Sequence, residues 1–383
     1  MAKTTISKKT NTAKKTAVKK SAVKKKTGSS KNGAGKADEI TEIVDVKQAK
    51  AEYQRRRKNQ IASIKKLDKD LLREMLYQMV LGRVFEQKAA EMYRIGKIGG
   101  FCHLYIGQEA IAVGTQMLLE DRDYVITSYR DHVQAMVQGI EPEAVLAELY
   151  GKSGGNVGGK GGSMHMFSKE KNFFGGHGIV GGQIGIGTGM AFAQKYKETG
   201  GVTLCFFGEA AVNQGIFHES LNMAELWDLP IIFICENNRY GMGTSQERAM
   251  SISSIAKKAE GYAMEGEFVD GMDVMAVRDA AERAIKRARE ESKPTLLEIR
   301  AYRFMGHSMS DPGKYRTTDE VKKYQERDPI ELFKDSLKDA KVFTDKDFEE
   351  IYEQAKVKTQ EAVDFAEESP LPDESELFTN IYA

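Results

Sequence analysis

Apolar and polar positions switch between two periods along most of this chain. Residues 202–207 (VTLCFF) and 231–235 (IIFIC) are short apolar runs rich in β-branched and aromatic residues, and they predict buried strands. Between them, residues 213–227 carry Ile216, Leu221, Ala224 and Leu226 at helical spacing. A tight turn, Gly208-Glu209-Ala210-Ala211, leads from the first strand toward that helix, and the second strand ends in Glu236-Asn237-Asn238. Strands joined through a helix run parallel. The loops that follow both strands therefore emerge at one sheet edge, the edge at which open α/β folds bind ligands.

The same alternation recurs on either side. Asp68 can cap a helix whose Leu72, Met75, Leu76, Met79 and Val80 form one apolar face. A Gly-containing break at 98–105 follows, then a helix over 109–119 and a strand over 123–127. That strand runs into a polar cluster, Ser128-Tyr129-Arg130-Asp131-His132. Further on, 295–301 reads as a strand entering the loop 303–313 (RFMGHSMSDPG), and 273–291 and 344–368 read as amphipathic helices. Alternating strands and helices predict an α/β fold with a doubly wound parallel sheet.

Composition changes the picture at the N-terminus. Residues 1–37 hold twelve lysines, no acid and no aromatic residue, which predicts a disordered tail. The chain carries a net charge of +1, so removing those twelve charges leaves −11 for the remainder. The tail could touch an acidic surface or nucleic acid; nothing outside it suggests a nucleic-acid partner. Residues 38–66 read as a charged, partly helical extension, and 67–383 as the folded domain. No apolar run approaches the roughly 20 residues of a membrane span. Three cysteines without metal spacing (Cys102, Cys205, Cys235) fit a reducing compartment.

The turn and strand end named first carry the chemistry. Glu209 offers a carboxylate; Asn238 and the Tyr240 carbonyl offer two neutral oxygens. That is half of an octahedral oxygen set, as suits a Mg²⁺ ion completed by substrate phosphates. A helix start behind Glu209 favours the same phosphates. Gly208-Glu209-Ala210 followed by Asn237-Asn238 resembles the thiamine-diphosphate fingerprint, with Glu209 and Ala210 standing where Asp and Gly are usual. The flanks VNQGIFHESLNMAELWDLP and ICENNRYGMGTS resemble alpha subunits of the pyruvate dehydrogenase component of the 2-oxo acid dehydrogenase complexes. The resemblance spans residues 66–334, and FCHLYIGQE and KGGSMHMF favour the pyruvate type over branched-chain 2-oxo acid or acetoin relatives.

The resemblance implies site residues. His103 and His307 are expected to carry protons near the reacting cofactor carbon. Tyr129, Arg130 and Arg303 are expected to contact the diphosphate; Gly178 and Val180 the aminopyrimidine; Glu209, Ala210, Ala211, Asn238 and Tyr240 complete the cofactor and metal contacts. Ser245 and Ser308 match positions phosphorylated in some members. Residues 176–181 (GHGIVG) also match a dinucleotide fingerprint, but the run before them looks too short for the required strand. Gly181, Gly185 and Gly189 predict instead a helix face that admits a close neighbour. Also implied are a separate beta subunit in an α2β2 heterotetramer, a lipoyl acyltransferase core, pyruvate as substrate, and a bacterial cytoplasmic or mitochondrial-matrix location. A non-catalytic or altered-metal paralogue is the alternative that Glu209 and Ala210 raise.

Overall fold

The apolar runs assemble into one six-stranded, wholly parallel sheet. The structure, a computed structural model, describes residues 55, 57, 60–379 and 381. The lysine-rich tail and residues 38–54, 56, 58 and 59 of the extension lie outside the described residues. In chain order the strands are β1 (Tyr124–Ser128), β2 (Phe173–His177), β3 (Thr203–Gly208), β4 (Ile231–Asn237), the two-residue pair β5 (Tyr240–Gly241) and β6 (Thr244–Ser245), β7 (Glu265–Asp270) and β8 (Thr295–Arg300). Their order in the main sheet is β2-β1-β3-β4-β8-β7, with β5 and β6 forming a small antiparallel hairpin.

The strand residues explain the helices on both faces. Leu204 and Phe206 of β3 and Ile232 and Ile234 of β4 join one apolar cluster, while Cys205, Phe207, Phe233 and Cys235 join another. Successive side chains point to opposite faces, so an unbroken apolar run needs a cover on each side. The first cluster is closed by helices including Glu109–Gln116 and Val274–Glu291; the second by Gly182–Tyr196 and Gly215–Leu226. A third cluster joins Leu72, Met75, Leu76, Met79 and Val80 of the helix Lys69–Arg94 to Ile351 and Ala355 of Asp345–Glu368. Asp68 caps the first of these helices through the Asp70 and Leu71 amides, and Thr344 and Asp347 close a capping box on the second.

Three expectations are corrected. The run before the dinucleotide-like glycines does form a strand, β2, because parallel pairing with β1 supplies its hydrogen bonds. The acid that would hold a ribose is nevertheless missing from a strand end: Glu198 sits in a turn at φ 51° after the following helix. Leu226 is not part of a buried helix face. It is 70% exposed, whereas Phe217, Leu221 and Ala224 are buried. Two residues of helix turn about 200°, so Leu226 lies opposite Ala224. Lastly, Gly181 precedes its helix, at φ 86°, and a Cβ on Gly189 would meet nothing within 4 Å. The close approach comes from Gly185, where an added Cβ would meet Ile216 Cδ1 at 2.9 Å, and from Gly187 against Cys205 and Ile126.

The topology creates the crevice. The chain leaves β1 outward to β2 and returns to β3 on the other side of β1, so the connections after β1 and β3 diverge. The C-terminal ends of β1, β2, β3, β4 and β8 all open at that edge.

Candidate functional site

Glu209 begins the short 3-10 turn Glu209–Asn213 directly after β3 and is 3% exposed. Its Oε2 accepts a 3.4 Å bond from the Asn238 amide, and its Oε1 is buried without a partner. Burial pushes the carboxyl up, against the opposing pull of backbone N–H groups and of Arg303. Asn238 turns its Nδ2 to Gln108 Oε1 at 2.9 Å, which leaves Oδ1 facing the site. Arg303 Nη1 reaches that Oδ1 at 3.4 Å and the Tyr240 carbonyl at 3.2 Å. A cationic nitrogen thus meets the two neutral oxygens that the sequence pairs with Glu209. No cluster of three or more His, Cys, Asp or Glu that could hold a metal occurs among the described residues. The donor set here has one carboxylate and two neutral oxygens.

Ala210 faces the hairpin. A Cβ on Gly241 would lie 2.6 Å from the Ala210 methyl, so an Ala in the turn requires a Gly opposite. Ala211 turns the other way and is buried in the core under the helices, so only its backbone lies at the edge. Beyond β2, a Cβ on Gly178 would meet Met164 Cε at 2.9 Å, while Ile179 and Val180 are 80% and 41% exposed.

The two histidines meet although they lie far apart in sequence. The His103 and His307 rings pack edge to face at 5.2 Å, with Tyr129 at 4.6 Å from His103 and 5.7 Å from His307. The Nδ1 of each imidazole is buried without a hydrogen-bond partner. Burial first, then the neighbouring Arg130 charge, pulls His103 down to about 2 and His307 down to about 4. Both rings are therefore neutral near pH 7, and the field they sit in is positive. Desolvation and the neighbouring guanidinium groups outweigh the ordinary imidazole value.

The arginines do more than face the edge. Arg130 donates from Nη1 to the Leu104 carbonyl and from Nη2 to the His307 carbonyl, both at 2.7 Å. Arg303 is 1% exposed and also donates to the Met305 and Met242 carbonyls and, at 2.8 Å, to the Tyr315 hydroxyl. Tyr315 in turn donates to Asp311 at 2.7 Å, whose carboxylate accepts from the His307 amide at 2.6 Å. Gln108, Asp311, Tyr315 and Arg316, which donates to the carbonyls of Arg303, Phe304 and Met305, were not singled out from sequence. Gln108 reaches across the chain to Asn238, whereas Asp311, Tyr315 and Arg316 bond within the loop 303–316, whose irregular backbone gives no periodic signal. Ser308 is buried beside His307, and Ser245 ends the hairpin.

Comparison with known proteins finds relatives of the chain. A family model described as "Dehydrogenase E1 component" matches residues 77–375. The chain is 50% identical over 305 residues to the pyruvate dehydrogenase E1 component subunit alpha of Rhizobium meliloti, covering 79% of this chain and 88% of that protein. It is 49% identical over 304 residues to the protein of the same name in Rickettsia felis, covering 79% and 93%. It is 45% identical over 319 residues to the chloroplastic subunit alpha-3 of rice (Oryza sativa), covering 81% and 75%.

Proposed function

This chain belongs to the dehydrogenase E1 component family, and from that premise we propose that it is the alpha subunit of a thiamine-diphosphate-dependent pyruvate dehydrogenase. The proposed reaction decarboxylates pyruvate and passes the two-carbon unit to the lipoyl group of an acyltransferase core. One observation carries this reading: two imidazole Nδ1 atoms and one carboxylate oxygen, all buried without a partner, converge at one sheet edge, beside two buried guanidinium groups. Buried polar atoms without partners are rare in folded chains and call for a ligand or another explanation.

When bound, thiamine diphosphate supplies a nucleophilic ring carbon and an electron sink for decarboxylation. Glu209, Asn238 Oδ1 and the Tyr240 carbonyl are the proposed holders of Mg²⁺, which would tie the diphosphate to this edge. Arg303 already draws on both neutral oxygens, which supports their role as cation donors. Tyr129, Arg130 and Arg303, with the N-terminal end of Gly215–Leu226, would favour the diphosphate by charge and dipole. His103 and His307 would each take up or release a proton at the Nδ1 that lacks a partner. Gly178 and Val180, at the open end of β2, would face the aminopyrimidine, and the exposed Ile179 and Ile186 beside them suit a covering subunit.

The partner is proposed to be a beta-type subunit that completes the cofactor site in an α2β2 heterotetramer. No helix among the described residues is long and apolar enough to cross a membrane, and the proposed location is a bacterial cytoplasm. The branched-chain, acetoin and non-catalytic alternatives gain no support: the similar proteins reported above are all named for pyruvate, and Glu209 retains the carboxylate. The test is co-expression with a beta-type subunit and an assay of thiamine-dependent pyruvate decarboxylation. The pair is expected to be active and the purified chain alone inactive; activity of the chain alone would refute the two-subunit reading.

A further inference from the structure

His103 lies on a segment without helix or strand, yet three of its successive residues are fixed by buried side chains. The His103 amide donates to Ser163 Oγ at 3.1 Å, the Leu104 carbonyl accepts from Arg130 Nη1 at 2.7 Å, and the Tyr105 amide donates to Glu86 Oε1 at 2.8 Å. His132 links two of these anchors. Its Nδ1 lies 3.0 Å from Glu86 Oε2 and its Nε2 lies 2.8 Å from Ser163 Oγ. Glu86 and His132 are fully buried, and Ser163 is 4% exposed.

The donors and acceptors give this circuit a direction. The Glu86 carboxylate accepts, so His132 donates from Nδ1. Its Nε2 also lies 3.1 Å from the Ser163 carbonyl, which can only accept, so the imidazole donates on that side as well. Burial lowers the His132 pKa, but the Glu86 charge and hydrogen bond outweigh it and raise it. The serine oxygen keeps a lone pair for the His103 N–H. Glu86 therefore holds Tyr105 directly and His103 through two intermediaries. The elements that bring them together are distant in sequence: Glu86 comes from the helix Lys69–Arg94, His132 from the start of His132–Val137, and Ser163 from the turn Gly162–Met164. Ser163 itself is placed by Glu148, whose carboxylate accepts from the amides of Val157, Gly159, Gly161 and Gly162 at 2.6–3.1 Å and so folds the glycine-rich loop.

We propose that Glu86, His132 and Ser163 form a positioning relay that fixes the backbone under His103, and so the placement of its imidazole beside Tyr129 and His307. None of the three is assigned to the reacting atoms. The proposal rests on the reading of His103 as a working residue of the decarboxylase. Its physical content is that a side chain on irregular backbone is held in productive geometry only if the backbone itself is over-determined.

The test combines amide hydrogen exchange on the full chain with turnover of the chain assembled with its beta-type partner. In Ser163→Ala, exchange of the 103–105 amides is expected to rise about tenfold or more, with the amides of β3 and β4 unchanged. Turnover is expected to fall about tenfold with KM for pyruvate within about twofold of wild type, the mark of misplacement rather than lost binding. Ser163→Cys keeps a similar volume with a weaker acceptor and is expected to move both readouts in the same direction if Ser163→Ala does not fold. Wild-type exchange at 103–105, or wild-type kcat despite faster exchange, overturns the relay. His103→Ala separates the two readings. Lost turnover there with normal Ser163 variants overturns the relay alone; retained turnover overturns the role of His103 and the relay with it.

Discussion

Replacing Glu209 by Gln removes one charge from a site where that charge has a defined setting. The carboxylate is 3% exposed, one oxygen lacks a partner, and burial pushes its pKa up. Two consequences of opposite sign follow. Without ligand, the ionised group is a desolvated acceptor, so Glu209→Gln should leave the melting temperature unchanged or raise it. A folded-state pKa above the unfolded value means stability that is present at low pH and lost as pH rises through the folded value, and the variant should lack that loss. With ligand, the sign reverses. Unit charges about 4 Å apart at an effective dielectric near 20 interact by about 4 kcal/mol, and a divalent ion makes the term larger. The Gln oxygen recovers part of it, so a net loss of about 3 kcal/mol, roughly a hundredfold in metal-dependent cofactor affinity, is expected. Thermal melts of the full chain with its beta-type partner, with and without thiamine diphosphate and Mg²⁺, read both effects. Saturation at about 100 times Kd stabilises by about 2.7 kcal/mol, and the variant should lose nearly all of that shift. Glu209→Asp should keep or strengthen the Mg²⁺-dependent shift, because a shorter carboxylate suits the usual octahedral distance of about 2.1 Å. A wild-type ligand shift in Glu209→Gln would refute the role of Glu209 as metal carboxylate.

His307→Ala should assemble normally and lose about a hundredfold in turnover with the lipoyl acceptor; an unchanged rate would leave His307 a packing residue. Because His103 and His307 are pulled down to about 2 and about 4 from 6.5, the unfolded chain takes up their protons first on acidification. The stability they support is present above about 6.5 and falls as pH drops toward the folded values; melts of His103→Ala and His307→Ala should show a shallower acid slope, and an identical slope would contradict the assignment. Gly241→Ala would set a Cβ 2.6 Å from that of Ala210 and should displace the hairpin, weakening cofactor binding about tenfold or more as read by calorimetry. The double change Ala210→Gly, Gly241→Ala should restore most of that loss, and a failure to do so would place the damage elsewhere.

The elements of this protein were legible in its sequence because their signals are local. The apolar runs of β3 and β4, the cap Asp68 and the helix between β3 and β4 each follow from residues a few positions apart. So does the placement of Glu209, Asn238 and Tyr240 at one edge, because parallel strands put their following loops on the same side. Tertiary structure decided what spacing cannot carry. β2 is a strand only through its pairing with β1, and Leu226 is exposed only because Phe217 takes the buried direction of its helix. The pairing of His103 with His307, the two carbonyls that Arg130 holds, and the Glu86–His132–Ser163 circuit join segments far apart in the chain. Such contacts exist only after the sheet order is set, since the order brings the strand ends together and burial in the assembled core fixes which polar atoms find partners.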